Sequence, residues 1–401
     1  MANSGGRPYR VLMIAPTSFF SDYGGHIRIL EEATILQEMG HEVAIATYYK
    51  GSDMPGLTIR RTWRLPYHTD YEVGSSRHKL AFDVYLGVKA LWEGLRFRPD
   101  VIHGHMHEGA LIGGMAARLL RKPLVFDFQG SLTAEMVDHK FLDANGRVYP
   151  WAHRLERFIT NRFPQAILTS SERAGQVLQE QFDVPASIIH PLPDCANPHR
   201  FDPNAKTAEE KLYIRRQIGI PDGRTIIAYL GLLTDYQGIP HLLQVAQKLM
   251  ARGENTHMLI MGYPQVEHYQ RMAQQLGVAD RVTFTGKVEY RRAPALLSLG
   301  EISVTTKMSA TEGSGKLLNY MAMAQPVVLY DSPVHREYLG DLGVYVERGD
   351  VDGFTTAVAR LLHDPQRRAC LGKKLRQRAL TEFSWQRAGR KIEQVYRMLT
   401  S

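Results

Sequence analysis

The chain has 401 residues, of which 44% are hydrophobic and 22% charged, and its formal net charge is +8. This length exceeds the roughly 250–300 residues over which one hydrophobic core keeps growing, so two domains are expected. The two cysteines, Cys195 and Cys370, lie far apart without CxxC spacing, which argues against a disulfide scaffold and against a cysteine-based zinc site.

No apolar run approaches the roughly 18–20 residues of a membrane-spanning helix, and the first ten residues lack the apolar core of a secretory signal. We therefore expect a cytoplasmic protein. From Pro365 onward ten basic residues stand against two acidic ones. Such a segment could make a peripheral contact with an anionic membrane, although a solvated helix face covering a neighbouring domain is more common. No nucleic-acid motif accompanies the charge, so no nucleic-acid partner is expected.

In chain order, short β-branched runs alternate with helical patterns. The first series is 10–15, 42–47, 100–105, 123–128, 166–170 and 187–190, and the second is 225–230, 257–261, 281–286, 301–306, 326–330 and 343–346. Near-continuous apolar strands separated by helices predict parallel sheets covered on both faces. The fold class is therefore α/β, with two doubly wound, Rossmann-like domains facing a central cleft, where ligands of such sheets bind.

Between the two series lies the stretch 191–206, PLPDCANPHRFDPNAK, which is rich in Pro, Asp and Asn and typical of a linker. We place the boundary near Asn197. The predicted domains are 1–197 and 198–383. A C-terminal helix over 384–401 is expected to pack back on the first domain.

Two glycine-containing sequence patterns suggest specific chemistry. Gly24 and Gly25 follow the first strand but do not form the GxGxxG fingerprint of a dehydrogenase. The stretch 311–322, TEGSGKLLNYMA, contains a Gly-Ser-Gly-Lys core like that of a P-loop, but Ala310 and Leu317 stand where a P-loop needs glycine and serine or threonine. Small residues before a helical pattern still predict backbone amides that point at an anion.

Histidines and aspartates raise the question of a metal. His103, His105 and His107 are spaced two apart and would share one face of a strand, with one or two of them at the cleft. No carboxylate or cysteine cluster of recognisable spacing completes a metal site, so none is expected. Asp350 precedes a helical pattern, where a helix cap is the ordinary role, although Asp350-Val351-Asp352 has the form of a metal-binding DxD.

The stretch 77–98, RHKLAFDVYLGVKALWEGLRFR, mixes basic and aromatic residues in a helical pattern. A core-packed amphipathic helix is the common outcome for such a stretch, and a helix lying on a membrane surface is the alternative.

Several of these pieces together resemble the retaining glycosyltransferases of family 4, which have the GT-B fold. The pieces are the glycine pair Gly24-Gly25, GHEV at 40–43, DVIHGH at 100–105, strand-end glycines at Gly231, Gly262 and Gly286, EGSGKLLNYMA at 312–322 and PVV at 326–328. The resemblance extends from about Arg10 to Leu399.

The resemblance implies transfer of a sugar from a nucleotide-diphosphate-sugar donor to a glycan, lipid or small-molecule acceptor, with retention of configuration and without metal or other cofactor. It implies that domain 1–197 binds the acceptor and that domain 198–383 binds the donor. Glu312 would face the hydroxyls of the donor sugar, Lys316 would stabilise the departing diphosphate, and His105 would lie at the catalytic centre. The donor-binding residues would be Gly24, Gly25, Gly231, Gln237, Gly262, Lys307, Gly313, Ser314, Gly315 and Asn319, and Gln129 would lie on the acceptor side.

Four positions depart from the family pattern. The basic pair that usually holds the diphosphate falls at Leu232 and Gln237, the glutamate that usually holds the ribose falls at Asn319, and the histidine after the fourth strand of the first series falls at Gln129. Lys316 and Lys307 could restore the missing charge, although either could instead be a solvated surface residue. Three other functions remain open: a nucleotide-sugar-binding protein without catalysis, a nucleotide-sugar epimerase of the same fold, and a nucleic-acid-binding protein.

Overall fold

The structure is a computed structural model that describes residues 7–21, 24–64, 79–138, 141–308 and 314–401. The described chain divides into two compact units. The first contains the described residues up to Pro193 together with Trp385–Ser401, and the second contains the described parts of the range 194–384. The division falls at Pro193, inside the stretch predicted as a linker.

The first unit is built on a parallel sheet with the strand order β3-β2-β1-β4-β5-β6-β7. Its strands are β1 (Arg10–Ala15), β2 (Glu42–Thr47), β3 (Thr58–Arg61), β4 (Val101–His105), β5 (Leu124–Phe128), β6 (Ala166–Thr169) and β7 (Ile189–Pro191). Its first six helices are α1 (Gly24–Glu38), α2 (Lys79–Phe97), α3 (Met106–Leu120), α4 (Leu132–Asp138), α5 (Tyr149–Arg162) and α6 (Glu172–Phe182).

Strand β5 shows how the two faces of this sheet are covered. Leu124, Phe126 and Phe128 point to one face, where they pack in apolar clusters with side chains from α2, α3, α5 and α6. Asp127 points to the opposite face and binds Arg28 of α1. Because both faces are covered, the whole of β5 is buried and reads as a continuous apolar run interrupted by one charge.

The second unit repeats this architecture with the strand order β10-β9-β8-β11-β12-β13, all parallel. Its strands are β8 (Thr225–Leu230), β9 (Thr256–Met261), β10 (Val282–Phe284), β11 (Ile302–Thr305), β12 (Val327–Tyr330) and β13 (Val344–Val346). Its helices are α7 (Ala208–Gln217), α8 (Ile239–Ala251), α9 (Val266–Gln275), α10 (Ala293–Leu297), α11 (Gly315–Ala322), α12 (Pro333–Leu339), α13 (Val351–Leu362) and α14 (Pro365–Glu382). The predicted α/β class with two parallel-sheet domains is confirmed.

The last helix, α15 (Trp385–Thr400), belongs to the first unit and packs against α1. The hydroxyl oxygen of Tyr396 in α15 lies 2.7 Å from His103 Nδ1. Gly389 of the same helix packs against Met39 and Ile35. An added Cβ at Gly389 would come within 2.9 Å of Ile35, so only a residue without a side chain allows this approach.

Much of the basic charge near the C-terminus serves the second unit itself. Three arginines of α14 donate hydrogen bonds to backbone carbonyls. Arg368 donates to Leu361 and Leu362, Arg376 donates to Phe201 and Ala322, and Arg378 donates to Tyr338 and Glu337. These hydrogen bonds favour a helix that packs on the protein over a segment that contacts an anionic membrane, the two roles that the sequence left open for the basic residues after Pro365. Among the described residues, no helix combines the length and apolar character needed to cross a bilayer.

Candidate active site

The amino end of α11 carries the first group of predicted donor-binding residues. Gly315 and Lys316 open this helix, so their backbone amides have no partner within it and face outward from its positive end. Ser314 directly precedes them, and its Oγ is buried without a hydrogen-bond partner among the described residues. This helix end therefore offers amides and one hydroxyl to an anion.

Lys316 reaches from α11 to the loop after β8. Its Nζ lies 2.7 Å from Gln237 Oε1 and 3.2 Å from the hydroxyl of Tyr229, and it stands 4.5 Å from the centroid of the Tyr229 ring. The Tyr229 hydroxyl in turn donates to the carbonyl of Leu232 at 2.9 Å. The ammonium of Lys316 is thus held beside Leu232 and Gln237, the two positions where the family pattern has basic residues.

Helix α11 is fixed against β8 one turn further on. The backbone amide of Leu230 donates to the hydroxyl of Tyr320 at 2.7 Å. Burial raises the pKa of Tyr320, so this hydroxyl stays neutral and can accept the bond. Asn319 lies three residues after Lys316 and therefore shares its helix face, where it is half-buried.

Two strand-end glycines make room for this arrangement. An added Cβ at Gly231 would lie 2.7 Å from Lys316 Nζ, so a side chain here would displace the ammonium. An added Cβ at Gly262 would lie 1.8 Å from the carbonyl oxygen of Gly231, which only glycine permits. Gly262 therefore acts on the site through the backbone of Gly231.

A second lysine lies at the end of β11. Lys307 is only 4% exposed. The preceding residue, Thr306, donates to the carbonyls of Gln237 and Gly238 at 3.1 and 2.8 Å, which ties this strand end to the loop that holds Lys316. Both lysines act on His335. Burial is the main reason that the pKa of His335 is lowered to about 4, and the positive charges of Lys307 and Lys316 lower it further. The hydrogen bond from the imidazole to the Tyr330 carbonyl has the opposite effect and raises the pKa.

In the first unit, the predicted residues His105 and Gln129 meet at one buried carboxylate. Asp127 Oδ2 accepts from His105 Nδ1 at 3.0 Å and from Gln129 Nε2 at 2.9 Å. Arg28 of α1 donates to Oδ1 of the same group at 2.7 Å. Burial alone would raise the pKa of Asp127, but the charge of Arg28 and the bond from His105 hold it well below its usual range. The carboxylate is therefore ionised and fixes the orientation of both side chains.

The glycine pair lies next to Gln129. An added Cβ at Gly25 would stand 2.9 Å from Gln129 Oε1, whereas one at Gly24 would meet no atom of the described residues within 4 Å. Both glycines begin α1, and Gln129 is the half-buried residue that follows β5. The carboxyl end of β5 and the amino end of α1 therefore bring together three of the predicted site residues.

The expectation that three histidines share a strand face is wrong for His107. His103 and His105 do share it, with stacked rings 4.7 Å apart. Strand β4 ends at His105, and Met106 turns the chain with a left-handed φ of 60°, so His107 lies on α3 and contacts Glu156 at 3.1 Å. A strand period cannot extend through such a turn.

One group of possible metal ligands exists among the described residues, formed by Glu32, His103 and His105, whose ligand atoms lie within 4.8 Å of one another. All three are buried, and Arg28 Nε lies 3.1 Å from Glu32 Oε1. A guanidinium beside the only carboxylate of the group opposes a further cation there. Asp350 has the expected cap role, because its side chain accepts from the Gly353 amide at 2.8 Å.

Glu312 and Gly313 lie outside the described residues. Sequence reasoning missed Asp127, Arg28, Tyr229 and His335. A signal existed for Asp127, since a charge inside the apolar strand LVFDF is unusual and demands a partner. The sequence offered no comparable signal for Tyr229 or His335, because their contacts with Lys316 and its surroundings come from distant segments.

Comparison with known proteins identifies the family. A model of the glycosyl transferase 4-like domain matches residues 24–195, and a model of glycosyl transferases group 1 matches residues 210–378. The chain belongs to the group 1 glycosyltransferases of family 4. It is a glycosyltransferase with the GT-B fold, and the resemblance to family 4 drawn from its sequence motifs is confirmed, while retention of configuration stays a prediction.

Two curated relatives illustrate the range of the family. Alpha-D-kanosaminyltransferase of Streptomyces kanamyceticus is 26% identical over 71% of this chain and 72% of its own length. A GDP-mannose-dependent alpha-(1-6)-phosphatidylinositol monomannoside mannosyltransferase of Mycolicibacterium smegmatis is 30% identical over 53% of this chain and 56% of its own length.

Solved structures agree with the fold. Anabaena HepE in complex with UDP and glucose superposes with a TM-score of 0.80 at 13% identity, over 98% of this chain and all of that one. Sucrose-phosphate synthase from Thermosynechococcus elongatus superposes with a TM-score of 0.80 at 17% identity, over 98% of this chain and 99% of that one.

We expect Asp127→Asn to lower the free energy of unfolding by roughly 3–5 kcal/mol, because it removes one of the two carboxylates that contact the buried Arg28 guanidinium and leaves only Glu32. Urea denaturation followed by circular dichroism measures the change. Glu42→Gln is the control: it removes the partner of Arg10 in a half-exposed pair at 2.8 Å and should cost less than about 1 kcal/mol. Equal losses for the two variants would contradict a special role of the buried carboxylate.

The depressed pKa of His335 predicts acid sensitivity. Its folded value of about 4 lies below the ordinary 6.5, so between pH 7 and pH 5 the unfolded chain takes up a proton that the folded chain refuses. Stability should therefore fall by about 2 kcal/mol over this interval through His335 alone. His335→Gln should remove that part of the pH dependence, whereas His268→Gln, at an exposed position, should keep it. An unchanged pH profile for His335→Gln would refute the assignment.

Proposed function

We propose that this glycosyltransferase moves a sugar from a nucleotide-diphosphate-sugar donor to a glycan, lipid or small-molecule acceptor, with retention of anomeric configuration and without a metal ion. The observation that carries the proposal is the position of Lys316 Nζ, 2.7 Å from Gln237, on the amino end of α11. A cation there compensates for the basic residues that the family pattern has at Leu232 and Gln237.

The proposed chemistry concerns the bond between the anomeric carbon and the diphosphate. As this bond breaks, negative charge develops on the departing phosphate oxygen, while an acceptor hydroxyl bonds to the anomeric carbon from the same face and passes its proton to that phosphate oxygen. Lys316, the amides of Gly315 and Lys316 and the hydroxyl of Ser314, which has no hydrogen-bond partner in the described part of the chain, would stabilise the developing charge. Gly313 would add its amide and Glu312 would bind hydroxyls of the donor sugar, as the resemblance implies. Donors fixed before the reaction need no reorganisation during it.

Lys307 would supply a second charge near the diphosphate. Its burial and the bonds of Thr306 to the Gln237 loop place it next to the same strand ends as Lys316. A low pKa of His335 keeps that imidazole neutral, so it does not compete with the lysines for the anion. Asn319 would contact the ribose through its amide, and Gly231 and Gly262 would let the donor approach the backbone.

In the first unit, Gln129 would contact the acceptor, and the Gly24-Gly25 start of α1 would allow close backbone approach to the donor. His105 is fully buried, so we propose that it acts by holding Asp127, whose Oδ2 also receives the Gln129 amide. A lipid acceptor would require the enzyme to work at a membrane surface.

The base and the sugar are proposed only as a class. The solved structures of Anabaena HepE contain UDP or UDP-glucose, and the Mycolicibacterium relative is named as GDP-mannose-dependent. A thermal-shift panel of UDP, GDP and ADP and their sugars tests the donor class, since a ligand that binds only the folded state raises the melting temperature. No shift with any nucleotide diphosphate would contradict the proposal.

A sugar-nucleotide-binding protein without catalysis is the second candidate, favoured by the uncharged residues at Leu232, Gln237 and Asn319. Donor consumption separates the two functions. Release of free nucleoside diphosphate from the donor, with a lipid extract or a soluble sugar as acceptor, supports the enzyme. Donor binding without release across the acceptor set supports the binder.

Lys316→Met should lower kcat by about 10²–10³, with a smaller loss of donor affinity, because the cation is needed most once the glycosidic bond begins to break. Lys374→Met, on the exposed side of α14, serves as the control and should leave both constants unchanged. An unaltered kcat for Lys316→Met would show that another group, such as Lys307, stabilises the leaving diphosphate.

Transfer should persist after dialysis against a chelator, because Lys316 and the α11 amides take the role that a divalent cation would otherwise have. The measurement is the initial rate with EDTA and after addition of Mg²⁺ or Mn²⁺. A rate that disappears in EDTA and returns with either metal would overturn metal independence, and Glu32→Gln would then test whether the buried histidine group holds that metal.

A further inference from the structure

Helix α2 is apolar on its solvent side as well as on its packed side. Phe82, Leu86 and Ala90 are buried against the sheet. The opposite side exposes a stripe made of Leu80, Val84, Tyr85, Val88, Trp92 and Leu95, and Leu80 is 75% exposed. Steps of three to four residues align these side chains along one line of the helix. A helix that is apolar all round normally lies in an apolar environment on all sides.

Most of the charged residues of α2 bind partners within the protein. Lys89 and Glu93 form a largely buried pair at 2.9 Å, Asp83 accepts from the hydroxyl of Tyr48 at 2.5 Å, and Lys79 binds Glu108 of α3. Among the five charged residues of this helix, all of which the structure describes, these four have partners inside the protein. Lys89 Nζ also lies 4.5 Å from the centroid of the Trp92 ring, at one end of the stripe. The polarity of a surface helix in a water-soluble protein is thus reversed here.

The stripe continues across the neighbouring helices. Helix α3 packs between α2 and α5, and the clusters around Phe163 and Ile159 place all three on the same face of the sheet. Their outer sides expose Met115, Leu119, Trp151, Leu155 and Phe158. Eleven of the eighteen large apolar side chains exposed in the described parts of the chain therefore lie on α2, α3 and α5. Such a concentration marks an interaction site.

The charge of this α2–α3–α5 face has one sign. The acidic side chains of the three helices, Asp83, Glu93, Glu108 and Glu156, are all at least partly buried and bonded to neighbours. The exposed charged side chains of the same helices are all arginines, namely Arg96, Arg118, Arg154, Arg157 and Arg162. Asp183, outside these helices, pairs with Arg157 at 2.7 Å and offsets one of them. The face thus combines tryptophan, leucine and valine with arginine.

We propose that the α2–α3–α5 face docks on the surface of an anionic lipid bilayer. Aromatic and aliphatic side chains can enter the boundary between headgroups and acyl chains, while arginines reach the lipid phosphates. Charge argues against a second copy of this chain as the partner, because a symmetric contact would bring two sets of arginines together. This surface is distinct from the basic segment of α14, whose arginines bind backbone carbonyls. The proposal is independent of the assignment of sugar transfer.

Vesicle flotation with the full chain tests the proposal. We expect the protein to float with phosphatidylcholine–phosphatidylglycerol vesicles, to float poorly with phosphatidylcholine alone, and to bind less at high salt. Arg96→Gln combined with Arg154→Gln should reduce the partition coefficient about tenfold or more, since each basic residue near an anionic surface contributes roughly fivefold. Lys373→Gln combined with Lys374→Gln, on exposed positions of α14, is the matched control and should float like the wild type.

A second pair tests the apolar contribution. Val88→Gln combined with Leu95→Gln should also lower binding about tenfold, whereas Leu212→Gln combined with Tyr213→Gln, at exposed apolar positions of α7, should not. Thermal unfolding checks that each variant is folded. If the variant with Val88→Gln and Leu95→Gln does not fold, the flotation of the variant with Arg96→Gln and Arg154→Gln tests the proposal. Absent binding to anionic vesicles, or loss of binding only with the α14 pair, overturns the proposal. So does a wild-type dimer, seen by light scattering, that Val88→Gln with Leu95→Gln dissociates.

Discussion

A carboxylate without access to water, Asp127, determines much of the first unit. An ionised group in an apolar sheet is tolerated only when its partners are fixed around it, and here Arg28, His105 and Gln129 surround it from a helix, a neighbouring strand and the following loop. His103 stacks on His105 and contacts Tyr396 of the last helix. The same charge therefore orients the candidate acceptor contact and connects α15 to the sheet.

In the second unit, the main electrostatic feature is the positive charge beside the loop after β8. The proposed diphosphate site needs positive charge at a strand end, and the loop after β8 supplies none of its own at Leu232 and Gln237. The cation arrives instead from α11, where Lys316 extends over the face of Tyr229 to the side chain of Gln237. Glycine at 231 leaves the space that the ammonium occupies. Under the proposed function, α11 supplies the positive charge that the family pattern has in the loop after β8.

The surroundings of Asp127 and of Lys316 differ from the α2–α3–α5 face in where their polar and apolar side chains lie. In the site regions polar groups converge and find partners inside the protein. On α2 the charged groups also find partners inside, through Lys89 with Glu93 and Asp83 with Tyr48, and this leaves the apolar stripe outside. Burying charge while exposing Leu80 and Trp92 costs stability in water, so an apolar partner gives the arrangement its physical reason.

The sequence by itself determined the α/β class, the two parallel-sheet domains and the glycosyltransferase family, because strand and helix periods are local and the family motifs are contiguous. It also singled out Lys316 and Gln237 as residues to examine together. Tertiary structure alone decided that Lys316 Nζ contacts Gln237 across 79 positions of the chain, that His107 leaves the strand at Met106, and that α2 turns its apolar stripe outward. The physical reason is the same in each case: a period along the chain specifies which residues share a face, but only packing specifies which face meets a neighbour and which partner a charge finds.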